Sequence, residues 1–184
     1  MNTFVVLVED HPGVLTRVSG LIRRRGFNID SLTVGHTETA GVSRMTIAVE
    51  ADEFGARRIE ANLYKLIEVL RVDNVTRQPS IFRELAILKV KTTAETRAQI
   101  FQLAQVYRAR IIDVSPESLV IEITGNEDKV RSLIEVLEPY GIVEMARTGR
   151  LAMLRGTGTA SKPPRADEDV AAEQAEEDVI SHSV

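Results

Sequence analysis

The segment best suited to chemistry is a short run between an apolar stretch and a helical pattern, Asp10-His11-Pro12-Gly13-Val14-Leu15. Pro and Gly end a strand, and the apolar residues that follow recur at helical spacing, so a helix begins here. The N–H groups of Gly13, Val14 and Leu15 would point out of its N-terminus, where a small carboxylate can bind. Gly13 has no side chain, which lets a ligand approach the backbone closely.

The same run has a purely structural interpretation. Asp10 would cap the helix, Pro12 would lie in its first turn, and Gly13 would supply backbone freedom. Because capping is so common, these residues alone favour a helix start over a ligand site.

Other kinds of reactive site lack their residues. The chain has no Cys and three scattered histidines, which excludes a thiol nucleophile and a disulfide framework and argues against a metal site. It has no Gly-Xaa-Ser-Xaa-Gly motif, no phosphate-binding loop and no Gly-Xaa-Gly-Xaa-Xaa-Gly after a strand. We therefore expect no catalytic residue, no metal and no cofactor in this chain.

Charge and hydropathy argue against nucleic acid and membranes. The net charge of the 184 residues is −4, and the tail at 157–184 holds seven acidic and two basic residues, so the rest is almost neutral. Aromatic residues are only 4% of the chain, too few for a base-stacking sheet, and no apolar run reaches 18 residues. We expect a soluble, cytoplasmic protein with a disordered acidic tail.

The elements that must position the run form a βαββαβ order. Phe4–Glu9 is a Val-rich strand, and the helix after Gly13 closes at Gly26. Strands follow at 29–36 and 45–51, then a helix capped by Asp52, then a strand at 69–75.

The second half repeats this order after a boundary at Gln78-Pro79-Ser80. Strands are predicted at 85–91, 111–114, 119–124 and 142–146, with a helix over 93–107 and another over 127–137 capped by Asn126. The pattern predicts an α+β chain of two ferredoxin-like domains, 1–77 and 78–156, each a four-stranded antiparallel sheet with both helices on one face. Several strands are apolar on both faces, so we expect sheets to associate.

At this point the residues resemble a known family. Leu7–Val18 is similar to the opening of ACT domains, which are βαββαβ modules that sense amino acids. Arg25–Val34, Ser43–Ile47, Ile59–Val72 and Ile111–Val114 narrow the resemblance to the regulatory small subunit of acetolactate synthase, also called acetohydroxyacid synthase. The resemblance runs from about Met1 to Arg155.

The resemblance implies a non-catalytic partner of a large subunit that condenses pyruvate with pyruvate or 2-oxobutyrate. That large subunit would hold thiamine diphosphate, Mg and FAD. The small subunit would activate it and confer feedback inhibition by a branched-chain amino acid, typically valine. It would form a homodimer through the ACT sheets, with the effector at the dimer interface.

Family resemblance also implies site residues. The N–H groups of Gly13, Val14 and Leu15 would hold the effector carboxylate, within the loop that includes His11 and Pro12. Asp10, with the backbone of Asn28 and Ile29 from the second protomer, would accept from its ammonium group. Many family members have Asn where this chain has Asp10.

Two rival classes stay open on the sequence. A free-standing catalytic domain of ferredoxin-like fold would show turnover alone. A ligand-responsive transcription regulator would need a basic DNA-binding helix pair, which this chain lacks.

Overall fold

A computed structural model describes residues 1–156, which form nine strands and four α-helices. The strands are β1 Asn2–Glu9, β2 Ile29–His36, β3 Val42–Val49, β4 Val69–Asn74, β5 Ser80–Lys91, β6 Arg110–Val114, β7 Ser118–Gly125, β8 Ile142–Arg147 and β9 Leu151–Leu154. The helices are α1 Val14–Arg24, α2 Glu53–Leu63, α3 Ala94–Val106 and α4 Glu127–Leu137, with a short 3-10 helix at Glu138–Tyr140. The predicted acidic tail at 157–184 lies outside the described residues.

The first domain is an antiparallel sheet in the order β2-β3-β1-β4, with α1 and α2 on one face. Its core is built from strand residues that alternate toward the helices, among them Phe4, Val6 and Ile47. The apolar stripe of α1 meets them with Val14, Val18, Leu21 and Ile22. This confirms the predicted βαββαβ order of the first half.

Leu15 is among the apolar residues that follow Gly13, but its side chain is 43% exposed. It follows Val14 by one residue, which turns its side chain about 100° around the helix axis. Leu15 therefore remains at the surface beside the N-terminus of α1.

Helices α2 and α4 begin after the capping residues that the sequence predicts. Asp52 and Asn126 accept backbone N–H bonds from the first turns of α2 and α4, at 2.7 Å and 3.1 Å. Thr93 forms a capping box with Thr96 at α3. At the end of α1, Gly26 adopts φ +79° in the left-handed region, as a residue after a helix C-terminus often does.

The second domain repeats the arrangement, with strand order β6-β7-β5-β8 and α3 and α4 on one face. One prediction for this half was wrong, because the strand at 142–146 is not the last: the chain turns and adds β9. Strand β5 is also longer than the predicted 85–91. Its first residues, Ser80 to Arg83, pair with β9 rather than with the rest of the sheet.

These extra strand residues cover the other face of the first sheet. Ala152 and Phe82 pack with Val5 and Val75 in a small cluster between the domains. This explains why Val5 is buried although it lies on the face of the sheet that points away from the helices. We expected sheets to associate because several strands are apolar on both faces. On this face of the first sheet, the association is between the two domains of one chain.

Candidate functional site

The N-terminus of α1 is open to a ligand. Gly13 precedes the helix with φ +94° and ψ −17°, and no side chain caps the first turn. The first helical bond runs from the Arg17 N–H to the Gly13 carbonyl at 3.0 Å, so the N–H groups of Val14 and Leu15 precede the ladder. The first turn holds no acidic residue, which leaves the positive end of the helix dipole uncompensated.

The capping interpretation of Asp10 is therefore wrong. Its carboxylate turns toward the sheet, where Oδ1 accepts a hydrogen bond from the Ser43 hydroxyl at 3.1 Å. Oδ2 lies 3.0 Å from Nδ1 of His36. The Asp10 N–H donates to the Gly41 carbonyl at 2.9 Å, which fixes the backbone on the same side. Pro12 also lies before the helix rather than in its first turn.

His11 adds a second histidine beside the helix start. Its Nε2 lies 3.0 Å from the Glu9 carboxylate, and its Nδ1 faces the Pro12 carbonyl at 3.4 Å. The hydrogen bond to Pro12, followed by that to Glu9, raises the pKa of the His11 imidazole. His11 thus holds its positive charge to higher pH than a free imidazole does.

Exposed apolar side chains accompany these polar groups. Leu15 in the first turn of α1 and Val34 on β2 are each 43% exposed. Val34 lies two residues before His36, at the end of the edge strand that also carries the Asp10 contact. The same end of the domain thus offers backbone donors, a carboxylate and apolar surface, which are complementary to a small amino acid.

The structure does not bring all the predicted residues together within one chain. Asn28 and Ile29 follow the C-terminal end of α1, whereas Gly13 lies at its N-terminal end. The 11 residues of α1 separate the two ends by roughly 16 Å. A small ligand can touch both groups only if they come from two chains.

Sequence reasoning missed the two side chains that hold Asp10. Ser43 and His36 face each other across the β2–β3 pair, next to the end of β1. The β2–β3 hairpin could have revealed them, because the residues next to its turn, His36 and Ser43, lie beside the end of β1 and therefore near Asp10. The sequence placed the start of β3 at residue 45, which left Ser43 outside the strand. In the structure β3 begins at Val42.

Across residues 1–156, no three acidic or histidine side chains are grouped as ligands for a metal ion. In the same range, no helix has the length and hydropathy to cross a membrane.

Two family models match the chain, one for each domain. Residues 4–71 match the AHAS small subunit-like ACT domain, and residues 83–156 match the small subunit of acetolactate synthase. The matched ranges include Asp10 to Leu15, the loop between α1 and β2, and the turn between β8 and β9.

Similar proteins carry the same family name. A probable acetolactate synthase small subunit of Archaeoglobus fulgidus is 52% identical over 84% of this chain and 97% of its own length. The acetolactate synthase small subunit of Mycobacterium bovis is 48% identical over 84% and 92%. The crystal structure of the small subunit from Thermotoga maritima is 42% identical, with a TM-score of 0.79 over 85% of this chain and 98% of that one. Sequence, fold and coverage agree: the chain belongs to the family of acetolactate synthase small subunits.

Proposed function

We propose that this chain is a regulatory subunit that binds a branched-chain amino acid, valine first among them, at the interface of two ACT domains. It activates a catalytic large subunit and makes it sensitive to feedback inhibition. The reaction chemistry, with thiamine diphosphate, Mg and FAD, belongs to the large subunit. The first domain, 1–77, carries the effector and the dimer contact.

The observation that carries this proposal is the uncapped helix N-terminus next to a carboxylate that is held away from it. The N–H groups beyond Gly13 suit the carboxylate of an amino acid. The Asp10 carboxylate suits the ammonium group of the amino acid, and the Ser43 hydroxyl orients that carboxylate by a hydrogen bond. If Asp10 capped the helix, its carboxylate would occupy the N–H donors, and neither group would be available to a zwitterionic ligand.

The second argument concerns the edge of the sheet. β2 is the edge strand, and its outer backbone groups can pair with the β2 of a second copy. Antiparallel pairing about a two-fold axis runs the two α1 helices in opposite directions. The N-terminus of one α1 then faces Asn28 and Ile29 of the other copy. Two copies thus bring together groups that lie far apart within a single chain.

The proposal is tested by titrating valine, leucine and isoleucine into the isolated chain by calorimetry and into the complex reconstituted with the large subunit. We expect binding to the isolated chain, higher turnover of the complex than of the large subunit alone, and inhibition by at least one of the three amino acids.

A matched pair of variants locates the site in the same experiment. Asp10→Ala removes the ammonium acceptor, whereas Asp128→Ala removes an exposed carboxylate of the second domain, 79% accessible. Only Asp10→Ala should weaken effector binding. Acetolactate formation by the isolated chain, or an absence of binding and inhibition by all three amino acids, contradicts the proposal.

A further inference from the structure

The turn between β8 and β9 lies directly on β2 of the first domain. The Thr33 hydroxyl donates to the Thr148 carbonyl at 3.0 Å, and the Arg150 N–H donates to Ser31 Oγ at 3.4 Å. These bonds join side chains of an edge strand in one domain to the backbone of the other. Strand β2 is therefore held on its open face as well as through β3.

Gly149 makes this close approach possible. It has φ +80°, and a Cβ built on it would lie 3.1 Å from Cβ of Ser31 and 3.4 Å from Oγ1 of Thr33. Both the backbone conformation and the short distance favour glycine at this position. The contact between turn and strand thus has a specific sequence requirement.

The Arg150 side chain extends the link to other elements. Its Nη1 donates to Oγ1 of Thr3 on β1 at 3.1 Å, and its Nη2 donates to the carboxylate of Glu127, the first residue of α4. Its guanidinium carbon also lies 5.5 Å from the centroid of the Phe82 ring. Only 17% of the Arg150 side chain is exposed, so these partners hold it in one orientation.

β2 begins at Ile29, and Ser31 follows two residues later. A ligand that contacts Asn28 and Ile29 thus acts at the start of the strand whose Ser31 and Thr33 bond to the turn. Arg150 connects that turn to α4.

We propose that Arg150 is a positioning residue that couples β2 of the first domain to α4 of the second and so transmits the state of the effector segment between domains. The role of the effector rests on the proposed function, whereas the physical link between β2 and α4 does not. Coupling of this kind requires a demonstrated response at both ends.

The test compares three variants of the full chain. Arg150→Ala removes the side-chain contacts with Thr3, Glu127 and Phe82 and keeps the backbone bond to Ser31. Glu127→Gln weakens the bond to α4 without removing a large side chain. Arg131→Ala is the matched control, because Arg131 pairs with Asp128 on the same helix, at 2.7 Å, without reaching the first domain. Hydrogen–deuterium exchange of residues 29–36 is measured on the chain alone, and valine inhibition on the reconstituted complex.

We expect Arg150→Ala to accelerate exchange in residues 29–36 at least threefold and Glu127→Gln to do so less, with Arg131→Ala unchanged. Valine affinity of the isolated chain should stay within threefold of wild type. Residual activity of the Arg150→Ala complex at saturating valine should rise at least threefold.

Unchanged exchange in Arg150→Ala would overturn the link. Faster exchange with undiminished inhibition would overturn the transmission. If the wild-type complex is not inhibited by any of the three amino acids, the proposed function fails instead, and the exchange data alone decide whether Arg150 joins the domains.

Discussion

The Ser43 hydroxyl donates to the Asp10 carboxylate at 3.1 Å, and this bond keeps the carboxylate from capping α1. Ser43 is only 6% exposed, so its hydroxyl has a fixed position from which to hold Asp10. Asp10 is thereby turned away from the N-terminus of α1. The helix donors and the carboxylate remain separately available, as the proposed binding of an amino acid requires.

Substitution at Gly13 should separate steric from electrostatic exclusion of the effector. With φ +94°, either Asp or Asn at this position is strained by about 1 kcal/mol, and Asn and Asp tolerate this region better than other residues. Gly13→Asn crowds the donors, whereas Gly13→Asp adds a negative charge where the ligand carboxylate must lie.

Like charges this close near a surface cost a few kcal/mol, so we expect Gly13→Asp to bind valine at least about a hundredfold more weakly than wild type. The valine affinity of Gly13→Asn should lie between those of wild type and Gly13→Asp, and both variants should still activate the large subunit. Calorimetric titration checks the order of the three affinities. Equal affinity of the two variants would show that no ligand charge lies near Gly13.

Asp10 should act as a hydrogen-bond acceptor more than as a charge. Asp10→Asn keeps an oxygen that can accept from Ser43 and from an ammonium group, so most effector affinity should remain. Asp10→Ala removes that acceptor and should weaken binding about tenfold, the effect of one charge-assisted hydrogen bond. Calorimetry with valine distinguishes these outcomes, and full affinity in Asp10→Ala would place the ammonium elsewhere.

Two buried threonines on the same sheet face should respond oppositely to replacement by valine. Both Thr46 and Thr3 are 1% exposed. Oγ1 of Thr46 has no hydrogen-bond partner, whereas Oγ1 of Thr3 accepts from Arg150 at 3.1 Å.

Thr46→Val should therefore raise the free energy of unfolding by about 1 kcal/mol, because it removes an unsatisfied buried hydroxyl. Thr3→Val should lower it by a similar amount, since it leaves a buried guanidinium donor without its acceptor. Denaturant unfolding monitored by circular dichroism measures both. A loss of stability in Thr46→Val would mean that its hydroxyl does have a partner.

Glu60 provides a pH-dependent test of stability. Burial, and to a lesser degree the charge of Asp73, raises the pKa of its carboxyl group. The folded chain then binds the Glu60 proton more tightly than the unfolded chain, so this group favours folding at low pH. That contribution is lost as pH rises from the unfolded pKa through the folded one.

Glu60→Gln should accordingly raise the melting temperature at pH 7 and leave it nearly unchanged at pH 4. Glu53→Gln on the same helix is the control, because its side chain is 57% exposed and pairs with Arg57 and Arg77. Thermal unfolding at the two pH values provides the measurement. An increase of the same size at both values would contradict the proposed linkage.

The sequence was most informative where local chemistry decides the structure. Helix α4 begins and ends as predicted because Asn126 caps it and Pro139 follows its end. The start of β3 at Val42 depends on its pairing with β1 and β2, so a local pattern placed it less well. β9 was missed because its partners lie far away in the chain: it pairs with Ser80 to Arg83, and Ala152 packs against Val5 and Val75.

The candidate site was predictable in part. Motif resemblance identified the segment at Gly13, but the role of Asp10 depended on strand register, which brings His36 and Ser43 together. The position of Asn28 could not be related to Gly13 from one sequence, since both ends of the same helix can meet only between copies.

The most direct test of the account is complementation between two defective copies. Chains with Gly13→Asp and chains with Asn28→Lys, which places a positive charge beside the ligand ammonium at an exposed position, are purified separately and shown to bind no valine. Equal amounts are then unfolded together, refolded and titrated by calorimetry. If each site combines Gly13 of one copy with Asn28 of the other, a mixed dimer contains one site of two with both residues intact. Random refolding makes about half of the dimers mixed, so about a quarter of the wild-type stoichiometry returns at wild-type affinity. If mixed dimers form and still bind no valine, the site lies within a single chain and the account is wrong.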